Sequence, residues 1–102
     1  MTITYLDQSI APLSAGANTA YTAGTISSGK IDQASLYNTT ASNVTVTASV
    51  NGSQLVNRIV TAKNTAVLSE ILNITLKSGY IITFTPDVAS AVNLSLSIKE
   101  TT

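Results

Sequence analysis

Hydrophobic and polar positions alternate along much of this chain. The strictest runs are Val44-Thr45-Val46-Thr47-Ala48-Ser49-Val50 and Val92-Asn93-Leu94-Ser95-Leu96-Ser97-Ile98. A period of two sends successive side chains to opposite faces of a strand, so each run predicts a strand with one dry face and one hydroxyl-rich face. Residues 19–26 read as a short strand closed by Ser27-Ser28-Gly29. Residues 30–38 read as a better one, with Ala34 and Leu36 alternating with Ser35 and Tyr37. Residues 58–62, 80–85 and 91–99 complete the clear strands, with Pro86-Asp87 stopping the second of these. Between 67 and 76 the pattern is mixed. Leu68-Ile71-Leu72 has the spacing of a helical turn, whereas Leu72-Ile74-Leu76 is strand-like. Lys77-Ser78-Gly79 reads as a tight turn with Gly79 in the left-handed position.

Asn51-Gly52 is a strong hairpin signal, because both residues tolerate positive φ. A two-residue loop there makes paired positions sum to 103, setting Val44 against Ile59, Ala48 against Leu55 and Val46 against Asn57. The last pair puts an amide on a dry face, which costs on the order of a few kcal/mol if unpaired. A longer loop, with the return strand restarting near Arg58, is therefore preferred.

Residues 1–18 are weakly patterned. Ile3, Tyr5 and Ile10 fit one face of a short strand before Pro12, Gly16 and Asn18 break it. This segment reads as an N-terminal arm or an edge strand, and residues 19–102 as a single domain. Seven or eight short strands at spacings near ten residues predict an all-β fold, an antiparallel β-sandwich or jelly-roll-like arrangement. The apolar phases of the alternating runs predict a core of Val44, Val46, Val50, Ile82, Phe84, Leu94, Leu96 and Ile98.

Composition narrows the chemistry. The 102 residues contain no His, Cys or Trp, and only 10% are charged, against about 25% in ordinary soluble domains. Without His or Cys, the usual acid–base, nucleophilic and soft-metal tools are missing. The five acids, Asp7, Asp32, Glu70, Asp87 and Glu100, form no paired motif. No serine-nucleophile or phosphate-loop signature is present. The expectation is a non-enzymatic protein with no catalytic, cofactor or metal residues. Lys30, Arg58, Lys63, Lys77 and Lys99 are scattered rather than gathered in a basic stripe, which argues against nucleic acid as a partner. No apolar run has the length of a membrane span, and the N-terminus lacks the regions of a signal peptide. Five Asn-x-Ser/Thr triplets begin at Asn38, Asn43, Asn51, Asn73 and Asn93. A strand with Asn and Thr on one wet face produces such triplets automatically, so they read as strand composition rather than as glycosylation sites.

A neutral, weakly charged chain favours association. Only Pro12 and Pro86 look like edge blockers, so the sheet edges are expected to be covered by another subunit. Ile3, Tyr5, Tyr21, Tyr37 and Tyr80 are the candidate interface residues, since tyrosine suits contacts that are apolar on one side and wet on the other.

Three stretches look familiar together. They are Ser35-Leu36-Tyr37-Asn38-Thr39-Thr40-Ala41-Ser42-Asn43-Val44-Thr45-Val46-Thr47, then Leu76-Lys77-Ser78-Gly79-Tyr80-Ile81-Ile82, then Ala89-Ser90-Ala91-Val92-Asn93-Leu94 and onward to Ile98. Their order resembles small tailed-bacteriophage virion proteins over about the last two-thirds of the chain. Tyr80 stands where that pattern has Asp, and Lys99-Glu100 replace a small-residue ending. The resemblance implies a virion β-sandwich. The first expectation is a capsid decoration (cement) subunit, a homo-oligomer and specifically a trimer, bound to the major capsid protein or other virion proteins. The alternatives are a head or tail fibre, collar or tail-associated subunit and, from another class, a carbohydrate-binding β module.

Overall fold

The structure, a computed structural model, describes residues 2–102, so Met1 of the N-terminal segment lies outside it. The alternating pattern becomes nine strands: β1 (Ile3–Asp7), β2 (Asn18–Thr22), β3 (Ser28–Asn38), β4 (Val44–Val50), β5 (Ser53–Val60), β6 (Thr65–Val67), β7 (Thr75–Leu76), β8 (Ile81–Pro86) and β9 (Val92–Thr101). They form two antiparallel sheets. The first runs in the order β1-β9-β3-β6, with β7 also on β3, and the second in the order β2-β8-β4-β5. The two sheets make an all-β sandwich. Of the strands adjacent in sequence, β4 and β5 are the pair that also lie side by side. The other connections cross between the sheets or return to β3.

The inner faces come from the dry phases of the alternation. Ile31, Ala34 and Leu36 of β3 meet Leu94, Leu96 and Ile98 of β9, and across the sandwich lie Val44 and Val46 of β4 and Ile82 and Phe84 of β8. Burying each of the larger of these side chains is worth about 1.5–3 kcal/mol. Of the predicted core residues, all but Val50 are buried, and Val50 is half-buried because it ends β4 at the hairpin. The helix-like spacing near Leu68 becomes a 3-10 turn at Ser69–Ile71 that buries Leu68 and Ile71, and the strand-like half becomes β7.

The N-terminal segment forms an edge strand. β1 pairs with β9 from Ile3↔Thr101 to Asp7↔Ser97, and Ile10 continues the ladder against Leu94. Leu13 is then drawn fully into the core, its N–H donating to the Val92 carbonyl.

The hairpin differs from the expected longer loop. Asn51 (φ 50°) and Gly52 (φ 82°) do make a two-residue turn, with Val50 opposite Ser53. The extra residue is taken up inside β5. The register slips between Ala48↔Val56 and Ser49↔Gln54, which leaves Leu55 as a bulge. Beyond it Val44 faces Val60 and Ala48 faces Val56, not Ile59 and Leu55. One bulged residue exchanges the two faces of a strand. Val56 and Val60 therefore turn inward, while Leu55, Asn57 and Ile59 turn out to solvent.

The two prolines are not edge blockers. Pro12 lies in the connection between β1 and β2. Pro86 ends β8, which is an inner strand of its sheet. It is tolerated there because β2 pairs with β8 only as far as Phe84, while on the other side Val46 directs its backbone groups toward β5.

Candidate assembly surface

The buried polar chemistry of this fold is closed on itself. Among the described residues, no buried side-chain nitrogen or oxygen lacks a hydrogen-bond partner. The centre of that chemistry is Asn38, fully buried at the end of β3. Its amide nitrogen donates to the carbonyls of Ser42 (2.7 Å) and Val60 (2.9 Å). Its amide oxygen accepts from the N–H of Thr40 (2.9 Å) and from the Thr40 hydroxyl (2.7 Å). One side chain thus folds the β3–β4 turn and ties it to the end of β5. The Asn-Thr-Thr stretch is a structural turn, and Asn38 is closed to solvent and to any modification. Asn18 does similar work, accepting from the N–H and hydroxyl of Ser14 and donating to the Phe84 carbonyl.

The edges are different. Along β4–β5 the hydrogen-bonded pairs fall on Val44↔Val60, Val46↔Arg58 and Ala48↔Val56. The other β4 residues bond toward β8, as Thr45 does in accepting from the Asp87 N–H. Alternation then turns the backbone N–H and C=O of Asn57 and Ile59 to the open side of β5. Ile59 is 63% exposed there, with Leu55 also exposed on the same strand. Arg58 points the other way, bonding Glu70 at 2.8 Å and the Val67 carbonyl at 3.1 Å, and so bridges the two sheets along this flank. Val67 of β6 adds a further exposed apolar residue on that flank.

The opposite flank carries the second open edge. Thr4 and Leu6 spend their backbone groups on β9, as the exchange between Thr2 and Thr102 shows, which leaves Ile3, Tyr5 and Asp7 to face outward. Ile3 is exposed and Tyr5 is 65% exposed. Just beyond, the Asp7 carboxylate accepts from the hydroxyl and the N–H of Ser9, and these bonds hold its pKa below the ordinary aspartate value. The two other lateral edges are short or irregular. β6 and β7 span three and two residues, and β2 is broken by a shift between Thr19 and Tyr21. Short and bulged strands are common ways of blunting an edge.

The five candidate interface residues therefore separate. Ile3 and Tyr5 stand together on the open edge of β1. Tyr37 is exposed on the outer face of the same sheet, between Asn93 and Thr65, and is two strands away from them. Tyr80 is half-buried and packs on the core just before β8. Tyr21 is only 6% exposed and offers no face to a partner. Its ring lies so close to Gly29 that a Cβ there would come within 2.7 Å of it. Its hydroxyl donates to the Glu100 carboxylate. Burial, with that hydrogen bond and the Glu100 charge, pushes the Tyr21 pKa well above the ordinary tyrosine value.

Leu55 and Ile59 are the exposed apolar residues that the alternation concealed. Residues 55, 57, 59 and residues 56, 58, 60 offer two phases of similar hydropathy, and the bulge selects the second for the core. The visible signal was the awkward Asn57, which the slip moves to the surface.

One shallow concavity opens on the outer face of the first sheet, lined by Ser28, Gly29, Lys30, Thr75, Lys99 and Thr101. Among the described residues no three acidic side chains gather where a metal ion would bind, and no helix is long and apolar enough to cross a membrane. Comparison of the chain with protein-family models, curated proteins and solved structures finds no match.

Proposed function

We propose that this chain is a non-enzymatic structural subunit that works by assembling, and, on the strength of its motifs, that the assembly is a bacteriophage virion in which it decorates and cements the capsid. The observation that carries the assembly reading is the open edge of β5, with unspent backbone groups at Asn57 and Ile59 and exposed Leu55 and Ile59 beside them. An unguarded edge of this kind is a template for strand addition. The second open edge, β1 with Ile3 and Tyr5, lies on the opposite flank and in the other sheet. Two different, opposed edges favour a head-to-tail contact, and such contacts close into rings when the rotation permits. β1 of one subunit against β5 of the next is the contact that fits the trimer implied by the resemblance. A subunit bound only to the assembled shell stabilises it by mass action.

Sedimentation velocity at micromolar concentration tests the assembly reading. A trimer that dissociates in the Ile59→Lys chain supports it. A monomer that also stays without a subunit neighbour on phage particles overturns it. Delayed thermal disruption of particles on adding the chain supports the cement role. Sugar binding by the isolated chain that is lost in Tyr37→Ala or Tyr80→Ala replaces it with the carbohydrate-binding reading.

A further inference from the structure

The first sheet places two of the chain's five basic residues directly opposite one another. Lys30 of β3 and Lys99 of β9 are register partners on the outer face. Like charges so opposed destabilise a sheet. Among the described residues neither lysine is in an ion pair, the exposed acids of the same sheet being Asp32, two residues along β3, and Asp7, opposite Ser97 on β1. The one ion pair among the described residues is Arg58–Glu70, at another place in the fold. Glu100, the acid next to Lys99, turns inward to accept from Tyr21. No acidic residue lines the concavity that both lysines share.

Three of the other four lining residues, Ser28, Thr75 and Thr101, carry hydroxyls, and Gly29 presents backbone without a side chain. Gly29 cannot take a Cβ, because Tyr21 and Ile98 press on it from inside at 2.7 and 2.9 Å. Tyr5 is the register partner of Lys99 on its other side. The concavity, open to solvent, offers about 160 Å³, well above the roughly 10–15 Å³ that one water needs on the same measure.

We propose that this concavity is a binding site for a tetrahedral oxyanion, phosphate or sulfate, either free or as an ester on a polymer. Lys30 and Lys99 supply the two positive charges, and the hydroxyls of Ser28, Thr75 and Thr101 donate to the remaining oxygens. Two ammonium groups with three hydroxyls around them suit a doubly charged group with four oxygens better than a carboxylate, which has one charge and two. The site stands on the lysine register and its concavity, and is independent of the assembly reading.

The test is a titration of the ¹⁵N-labelled full chain with sodium phosphate, sodium sulfate, sodium acetate and a sulfated dextran fragment, with sodium chloride holding ionic strength constant. Saturable shifts are expected at the amides of Ser28–Lys30, Thr75 and Lys99–Thr101. Loss of one charge-assisted contact predicts at least about tenfold weaker binding in Lys30→Gln and in Lys99→Gln. Lys63→Gln, at the far end of β3 where Lys63 donates to the Thr39 carbonyl, leaves the affinity unchanged. Sulfated dextran binding at least tenfold more tightly than sulfate assigns the ester source, and equal or weaker binding assigns the free ion. Shifts that follow ionic strength alone, acetate binding as tightly as phosphate, or undiminished affinity in both lysine variants overturns the proposal. The acetate comparison uses the unaltered chain, so it decides the matter even if a variant folds poorly.

Discussion

The Asn38 corner and the open edge of β5 are neighbours along one strand and are built in opposite ways. At the corner, Asn38 spends both hydrogens and its carbonyl oxygen on four bonds, and one of them reaches the last residue of β5. A few residues back along β5, Asn57 and Ile59 hold backbone groups with no strand beside them. The side chains differ in the same sense, fully buried in one case and 63% exposed at Ile59 in the other. Polar groups that cannot reach water are satisfied inside the chain, and those that can reach it are left for something else. The first arrangement holds the chain together, and the second leaves an edge that the proposed assembly would use.

Substitutions inside should therefore change stability and leave association alone. The largest effect is expected for Phe84→Ala, the one phenylalanine and among the largest fully buried side chains. Its loss should cost about 3–5 kcal/mol, read from urea unfolding. A loss below about 1 kcal/mol would mean that the sheets collapse around the gap. Asn38→Ala comes next. It leaves the Thr40 N–H without its acceptor and takes one of two donors from each of the Ser42 and Val60 carbonyls, and a buried group left unsatisfied costs about 1–3 kcal/mol. Asn38→Asp keeps the acceptor but removes both donors, so it should recover little.

Tyr21 joins the same interior, and its effect appears only in base. Its folded pKa is raised, so the folded state holds the proton more tightly than the unfolded chain does. The stability that follows is fully present below about pH 10, the ordinary tyrosine value, and is lost as pH rises from there toward the folded pKa. Urea midpoints at pH 9 and pH 11.5 should show the drop in the unaltered chain and a smaller one in Tyr21→Phe. Equal drops would assign the alkaline loss to other groups.

The sheet interior was legible in the sequence because β4, β8 and β9 each have one apolar phase and one hydroxyl phase, and only one of these can be dry. β5 was not legible for the converse reason. Val56 and Val60 compete with Leu55 and Ile59, and hydropathy does not separate them. What decides between them is non-local: the bulge at Leu55 sets Val60 and Val56 against Val44 and Ala48, and Arg58 has Glu70 and Val67 to reach only if it points inward. Asn38 was legible as part of a turn but not as its buried keystone, since no local pattern shows that Val60 returns to it across 22 residues. The Lys30–Lys99 pair was hidden similarly. The two lie far apart in sequence and read as scattered charges until β3 and β9 are paired.

The smallest change in stability belongs to the open edge, and it is the sharpest test of the comparison. Ile59 already spends most of its surface in water, so Ile59→Lys removes little buried area. A surface change of this kind alters unfolding free energy by no more than about 0.5 kcal/mol either way. A lysine on an edge strand is nevertheless an established deterrent to strand addition, because its charge must be desolvated when another strand arrives. Asn57→Pro acts on the same edge by a different route, removing an N–H that points to open solvent in the lone subunit. Both chains should unfold near the wild-type midpoint and sediment as smaller species, whereas Asn38→Ala should unfold early and associate normally while folded. If Ile59→Lys instead lowers stability as far as Asn38→Ala does, the edge belongs to the core and the division between holding and joining fails. If it leaves both stability and association untouched, β5 is not the joining edge, and Tyr5→Lys on β1 becomes the substitution that locates it.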